Sequence, residues 1–391
     1  MDMLDRTIPT PQELIARAEA LVPFLREQAA SNKAARRITA ETIARVKDAG
    51  LFRVIQPSRY GGYEMSPEVF GEIITTLGRG DASMGFVFGV VAVHSFHMAF
   101  YDDQAAQDVW GEDSSVLVGS PYAPNGKAVK VDGGYRVSGR WSFSSGCDNC
   151  DWNFLGGMIE GDEGPILQRL HAFLIPRADA KIVDTWHVTG LQGSGSKDIV
   201  VEDAFVPEYR VQRFPIFDAS AHPGTKLNNA PLFRAPFMPL FVRSVSSAAL
   251  GALEGMIEHF SGYTANRLNV LSERVARDPR VQEALGQARA EVEEMKSTMR
   301  RDLARMDEIG REGQLISMDE MTLLMLKSAN VPHRAEKAAL TLMRAAGANG
   351  IRNDHPLAGI YNDILVIGQH ASNTPATQAI SLGKMMLGVQ D

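Results

Sequence analysis

Cysteine occurs only twice in 391 residues, as Cys147 and Cys150. A C-x-x-C pair can be redox-active or half of a zinc site. No second Cys/His pair stands at ligand spacing, however, and the motif does not open a helix in a βαβ unit. The two residues are read as ordinary thiols in a packed strand-loop region. Also absent are G-x-G-x-x-G after a strand, a Walker loop, H-E-x-x-H and G-x-S-x-G. The chain therefore shows no visible nicotinamide site. It has no basic tract, and a net charge of −7 argues against nucleic acid or an anionic membrane surface as the main partner. The longest apolar runs, such as GFVFGVVAV at 85–93, are too short to span a bilayer, and MDMLDRTIPTP does not read as a signal peptide. A cytoplasmic protein is expected.

What is present is an ordinary globular composition, 45 % hydrophobic and 22 % charged, in a chain long enough for two or three packed units. Residues 11–110 read as helices, with apolar positions three and four apart and a Thr cap before Glu in TAETIARVKDAGLFRVI. From about 116 to 215 the texture changes to β-branched, alternating runs punctuated by Gly, Asp and Pro. A Pro- and Asn-marked connection, FPIFDASAHPGTKLNNAPLFRAPF, then returns the chain to long helices. Four of these, the last beginning after 374, predict an antiparallel bundle. The expected fold is mostly α with a central β-domain, divided into 1–115 (helical), 116–225 (β) and 226–391 (four-helix bundle).

Several stretches can carry chemistry. GLQGSGSKD, 190–198, can offer N–H groups to a phosphate or form a surface turn. His94 and His97 lie three apart and share a helical face, which suits packing or substrate contact better than a metal, because no third ligand is well placed. GRWSFSSGCDNCDW sets Trp141, Phe143 and Trp152 beside Ser144 and Ser145. Aromatic faces with hydroxyls suit a flat heterocycle, and equally a sheet core with a polar rim. NDILVIGQHASNTPATQ, 362–378, holds one histidine, His370, and no glutamate.

The helical, β, helical order, WSFSSG, SGSKDIVVEDAFVP and LMRAAGANGIRNDHPLAGIYND together resemble the acyl-CoA dehydrogenase fold over nearly the whole chain. Dehydrogenases of that fold use a Glu base, whose two known positions fall here on Ala371 and near Phe241. LFRVIQPSRYGG, VHSFHMAFYDD, VWGEDSSV, SPYAPNGKA, WSFSSGCDNCDW and GSGSKDIVV resemble its two-component flavin monooxygenase branch. That branch includes the oxygenase components of 4-hydroxyphenylacetate 3-hydroxylase and of the hydroxylase acting on 3-hydroxy-secoandrostatrienedione.

The resemblance implies an oxygenase that takes reduced FMN or FAD from a separate NAD(P)H:flavin reductase. Dioxygen then forms a C4a-hydroperoxyflavin that hydroxylates a small aromatic substrate, a phenol or an indole. It further implies a homotetramer, no metal, and a set of site residues. His370 would accept a phenol proton, and Ser145 would bond the flavin N5 region. Phe86, Ser120, Tyr122, Trp141, Phe143 and Ser144 would line the flavin, and Gly347, Asn349 and Gly350 would hold its far end across a subunit interface. His94, Met238 and Phe241 would face the substrate. Met238 stands where the hydroxyphenylacetate enzymes carry a carboxylate-binding Arg, so a neutral substrate is expected unless Arg234 or Arg243 substitutes. The alternatives are N- or S-oxygenation in the same branch, or a dehydrogenase whose base has moved to Glu254.

Overall fold

The computed structural model describes residues 8–214, 222–353 and 355–389, so part of the 214–237 connection lies outside the described residues. The chain begins with helices α1 (Pro11–Ala35), α2 (Ala40–Asp48), α3 (Pro67–Gly80), α4 (Ala82–Met98) and α5 (Asp103–Trp110). Thr10 and Glu13 form a reciprocal capping box at the start of α1, and Thr39 caps α2.

Eight strands follow: β1 (Val118–Gly119), β2 (Gly126–Val131), β3 (Gly134–Ser144), β4 (Trp152–Ile159), β5 (His171–Pro176), β6 (Lys181–Val183), β7 (Lys197–Pro207) and β8 (Val211–Arg213), with the single turn α6 (Ile166–Arg169) between β4 and β5. They pair in the order β6-β7-β3-β2-β4-β5-β8, and β1 joins β4 in parallel. β3 and β7 pair along most of their length, with register shifts between Val137 and Gly139 and between Trp141 and Ser144.

The chain ends in helices α7 (Phe237–Ala265), α8 (Pro279–Glu312), α9 (Met318–Ala346), α10 (Pro356–Gly368) and α11 (Pro375–Leu387). The expected fourth bundle member after 374 is α11, yet none of its residues is buried, whereas α10 buries Leu357, Ile364 and Ile367 against the core. The fourth core helix is thus α10, whose mostly apolar sequence PLAGIYNDILVIG gives no clear helical period. Helix α7 is long and apolar enough to cross a bilayer by length and composition, but 94 % of its most apolar window is buried in the bundle.

Helices from both ends of the chain share one core, from Leu14 through Leu253 to Ile367, while the sheet keeps a separate one around Trp141, Phe173 and Ile199. The contact of α3 with α7 is close enough that a Cβ on Gly251 would lie 2.0 Å from the Thr75 carbonyl oxygen. This tight helical body meets the sheet at β1 along α4, and the 190–193 loop along α4 and α10.

Candidate active site

Helix α4 is apolar on every side, as ASMGFVFGVVAVHSFHM implies, and it is buried on every side. Asp81 caps it by accepting the Ser83 N–H at 2.9 Å. The helix carries Phe86, His94 and His97 as one rigid unit. His94 Nδ1 lies 2.6 Å from the Val118 carbonyl at the start of the sheet. A carbonyl only accepts, so the ring proton sits on Nδ1 and Nε2 keeps its lone pair. That Nε2 is buried without a partner. Burial pushes the imidazole down to about 4, so the ring is neutral at physiological pH.

His370 has the opposite arrangement. It caps the short turn Ala371–Asn373 that follows α10, and its Nδ1 accepts the Ser372 backbone N–H at 3.2 Å, with the Ser372 hydroxyl 2.7 Å away. With Nδ1 accepting, the proton of the neutral ring sits on Nε2. Burial pushes this imidazole to about 4 as well. Phe86 stands edge-on to it, with ring centroids 6.2 Å apart. In this arrangement His370 Nε2 offers an N–H and His94 Nε2 offers a lone pair.

Tyr122 sits beside His94 and His97. Its hydroxyl is 2.7 Å from His97 Nδ1, and its ring lies 5.6 Å from His94, 4.6 Å from Phe214 and 5.7 Å from Phe241. It stands with His94 and Phe241, and its hydroxyl is engaged by His97. Ser120 follows β1 two residues beyond Val118 and is half-buried. Phe237 and Phe241 stack at 5.9 Å, while Met238 packs toward Val242, Met321 and Met325. Arg243 is fully buried in an ion pair with Asp302, and Arg234 donates to the Gly310 carbonyl. Both arginines are thus committed elsewhere than to a substrate carboxylate.

On the sheet side, Trp141 is fully buried in the sheet's own core and donates Nε1–H to the Gly156 carbonyl at 2.7 Å. It is a packing residue, which corrects its expected place beside a cofactor. The irregularity after it turns Phe143 outward: that ring is 69 % exposed, at φ +66°. A left-handed, exposed aromatic costs about 1–2 kcal/mol of backbone strain and marks a position held for a contact. Ser145 Oγ lies 2.8 Å from Ser196 Oγ, which lies 2.7 Å from Ser194 Oγ. Two links among three hydroxyls leave one proton over, and leaving it on fully buried Ser194 would strand a donor. The chain therefore runs from Ser194 through Ser196 to Ser145, the half-buried member, which keeps a free O–H and one lone pair. Beside it the Ser144 hydroxyl is buried and unpartnered.

These features fit a flavin ring: an exposed aromatic face at Phe143, a hydroxyl able to donate and accept at Ser145, and an imidazole N–H at His370. Gly347, Asn349 and Gly350 lie at the opposite end of α10 from His370, about 18 Å away along the helix. Of these, Gly347 borders a groove of about 570 Å³ that also includes Met343, Arg344 and Tyr361. Arg267, which the sequence did not single out, donates to the Ala346 carbonyl next to this turn and is the cation nearest Gly347. Cys147 and Cys150 are buried free thiols, and burial pushes Cys147 up to about 12, which makes a reactive thiolate unfavourable. Among the described residues no group of three or more His, Cys, Asp or Glu could hold a metal.

Residues 244–375 match the family described as acyl-CoA dehydrogenase, C-terminal domain. The chain is 34 % identical to a pigment production hydroxylase of Rhodococcus erythropolis, over 89 % of this chain and 90 % of the relative. It is 32 % identical to the flavin-dependent monooxygenase oxygenase subunit HsaA of Rhodococcus jostii, over 95 % and 98 %. The crystal structure of the 3-HSA hydroxylase from Rhodococcus sp. RHA1 superposes with a TM-score of 0.91 at 31 % identity, covering 97 % of this chain and 98 % of that one. The chain belongs to the flavin-dependent monooxygenases of the acyl-CoA dehydrogenase fold, as an oxygenase component.

Proposed function

We propose that this oxygenase hydroxylates an uncharged aromatic ring bearing an O–H or N–H, a phenol or an indole. The observation that carries the reading is the opposite proton placement on two neutral histidines, His94 with a bare Nε2 and His370 with a bare Nδ1. His94 Nε2 receives the substrate's proton or hydrogen bond, which raises electron density on the ring. His370 Nε2–H donates toward the oxygen side. Phe86 and Phe143 sandwich the flavin, with Ser120 along its edge, and Ser145 accepts an N–H there with the lone pair that Ser196 leaves free. Phe241 and Tyr122 wall the substrate. Reduced flavin, when bound, supplies the electrons that activate dioxygen, and a separate NAD(P)H:flavin reductase delivers it.

The buried ion pair of Arg243 with Asp302 favours a substrate without a carboxylate. The groove beside Gly347 and Arg267 has room for the adenine half of FAD, so FAD is proposed to bind alongside FMN. Exposed Ile351, Ile380, Met386 and Leu387 support a homotetramer in which this groove faces a neighbouring subunit's flavin. A relocated dehydrogenase base is disfavoured, because Glu254 is held by Lys296 at 2.6 Å and lies about 20 Å along α7 from Phe241.

The test is turnover with reduced flavin and ¹⁸O₂ on phenols and indoles. One labelled oxygen in the product is expected. Hydrogen peroxide alone from every substrate would overturn the reading.

A further inference from the structure

Tyr122 stands between two imidazoles, with ring centroids 5.6 Å from His94 and 5.4 Å from His97. It has one proton to donate, and both histidines have a bare ring nitrogen. The proton placement on His97 follows from its surroundings. The Phe100 carbonyl accepts from the Gln212 amide N–H at 2.7 Å, which turns Gln212 Oε1 toward His97 Nε2 at 3.1 Å. An amide oxygen accepts, so His97 Nε2 carries the proton and Nδ1 is left bare for the Tyr122 hydroxyl. His97, fully buried, is kept neutral by that burial.

If the hydroxyl bonded His94 Nε2 instead, that unpartnered acceptor would be filled from within the protein. A buried acceptor left open is costly, so such self-pairing is the default outcome unless a better acceptor competes. We infer that His97 and Gln212 are positioning residues that draw the Tyr122 proton away from His94 and so keep His94 Nε2 open for a donor on the substrate. The inference rests on the proposed role of His94. Its consequence is substrate discrimination: an aromatic with an O–H or N–H completes His94, whereas its methyl ether leaves His94 unsatisfied.

The probes are 2-naphthol and 2-methoxynaphthalene, titrated by fluorescence into the flavin-free protein. The wild type is expected to bind the naphthol at least tenfold more tightly than the ether. His97→Leu is expected to erase that preference, because Tyr122 then turns to His94. The double variant His97→Leu/Tyr122→Phe is expected to restore it to within about threefold, a rescue that mere packing damage at His97 would not show. Gln212→Leu repeats the first variant's effect without touching the histidine. A preference that survives in both His97→Leu and Gln212→Leu, or a double variant that does not recover, overturns the inference. A wild type that binds both probes equally removes the role of His94 as well, and with it the proposed substrate class.

Discussion

Asp363 on α10 accepts the backbone N–H of Leu191 at 2.6 Å, joining the bundle to the loop that carries Ser194 and Ser196. The loop lies flat on the helix there: a Cβ on Gly190 would sit 2.1 Å from the Asn362 carbonyl oxygen. Leu191 takes φ +50° to make the bond, and its own carbonyl accepts from Trp186 Nε1, whose ring meets Phe143 edge-on. One carboxylate thus ties the helix leading to His370 to the hydroxyl chain and the exposed aromatic.

Burial raises the Asp363 carboxyl from its ordinary 3.8 to about 7. The folded state then holds a proton that the unfolded state has lost, so the stability it contributes is full below pH 4 and disappears as pH rises to about 7. Asp363→Asn keeps an acceptor for Leu191 without the charge. Its stability is expected to match the wild type near pH 4 and to exceed it above pH 7, by roughly 1–2 kcal/mol after allowance for partial exposure. Asp363→Ala is expected to destabilise at every pH, because it strands the Leu191 N–H. Melting curves from pH 4 to 8 check both.

The depressed pKa values of His94 and His370 predict an unusual pH profile. An ordinary histidine limb near 6.5 is expected to be absent, with kcat/KM for a phenol level from about pH 5.5 to 8 on the acid side. Activity is lost only as His94 takes up a proton on descending toward about 4. Stability falls over the same descent, from 6.5 to 4, since the unfolded histidines bind protons that the folded ones refuse. His94→Ala is expected to lower kcat/KM for phenols by ~10²–10⁴-fold. A limb near 6.5 in the wild type would count against the buried, neutral site.

Ser196 is the middle of the hydroxyl chain and has no direct place at the flavin. Ser196→Ala leaves the Ser194 hydroxyl without an acceptor, an expected loss of roughly 1–3 kcal/mol, and frees Ser145 to rotate. The ratio of hydroxylated product to hydrogen peroxide is expected to fall in Ser196→Ala and to be regained in Ser196→Thr. An unchanged ratio in Ser196→Ala would separate Ser145 from its supposed support.

Much of this site was legible in the sequence because it lies in local stretches with strong chemistry: Ser145 in WSFSSG, His94 in VHSFHMAFYDD, His370 in NDILVIGQHASNTPATQ. The parts that were not legible depend on irregular or long-range geometry. Strand alternation sets Trp141 and Phe143 on the same face, and the register shift that turns Phe143 out and Ser144 in has no sequence signature. The proton on His97 is decided by Gln212, 115 residues away, and through it by Phe100. The proton on His370 is decided by the turn that exposes the Ser372 N–H, which a one-letter string does not reveal. Helix α10 lacked a polar face to reveal its period, because both neighbours in the bundle and the 190–193 loop cover it.

The central claim is that two neutral histidines divide acceptor and donor between them. Neutron diffraction from perdeuterated crystals of the flavin-free protein near pH 7 would locate the ring deuterons directly. Deuterium is expected on His94 Nδ1 and His370 Nε2, with His94 Nε2 and His370 Nδ1 bare. Deuterium on His94 Nε2 or on His370 Nδ1 would contradict the account.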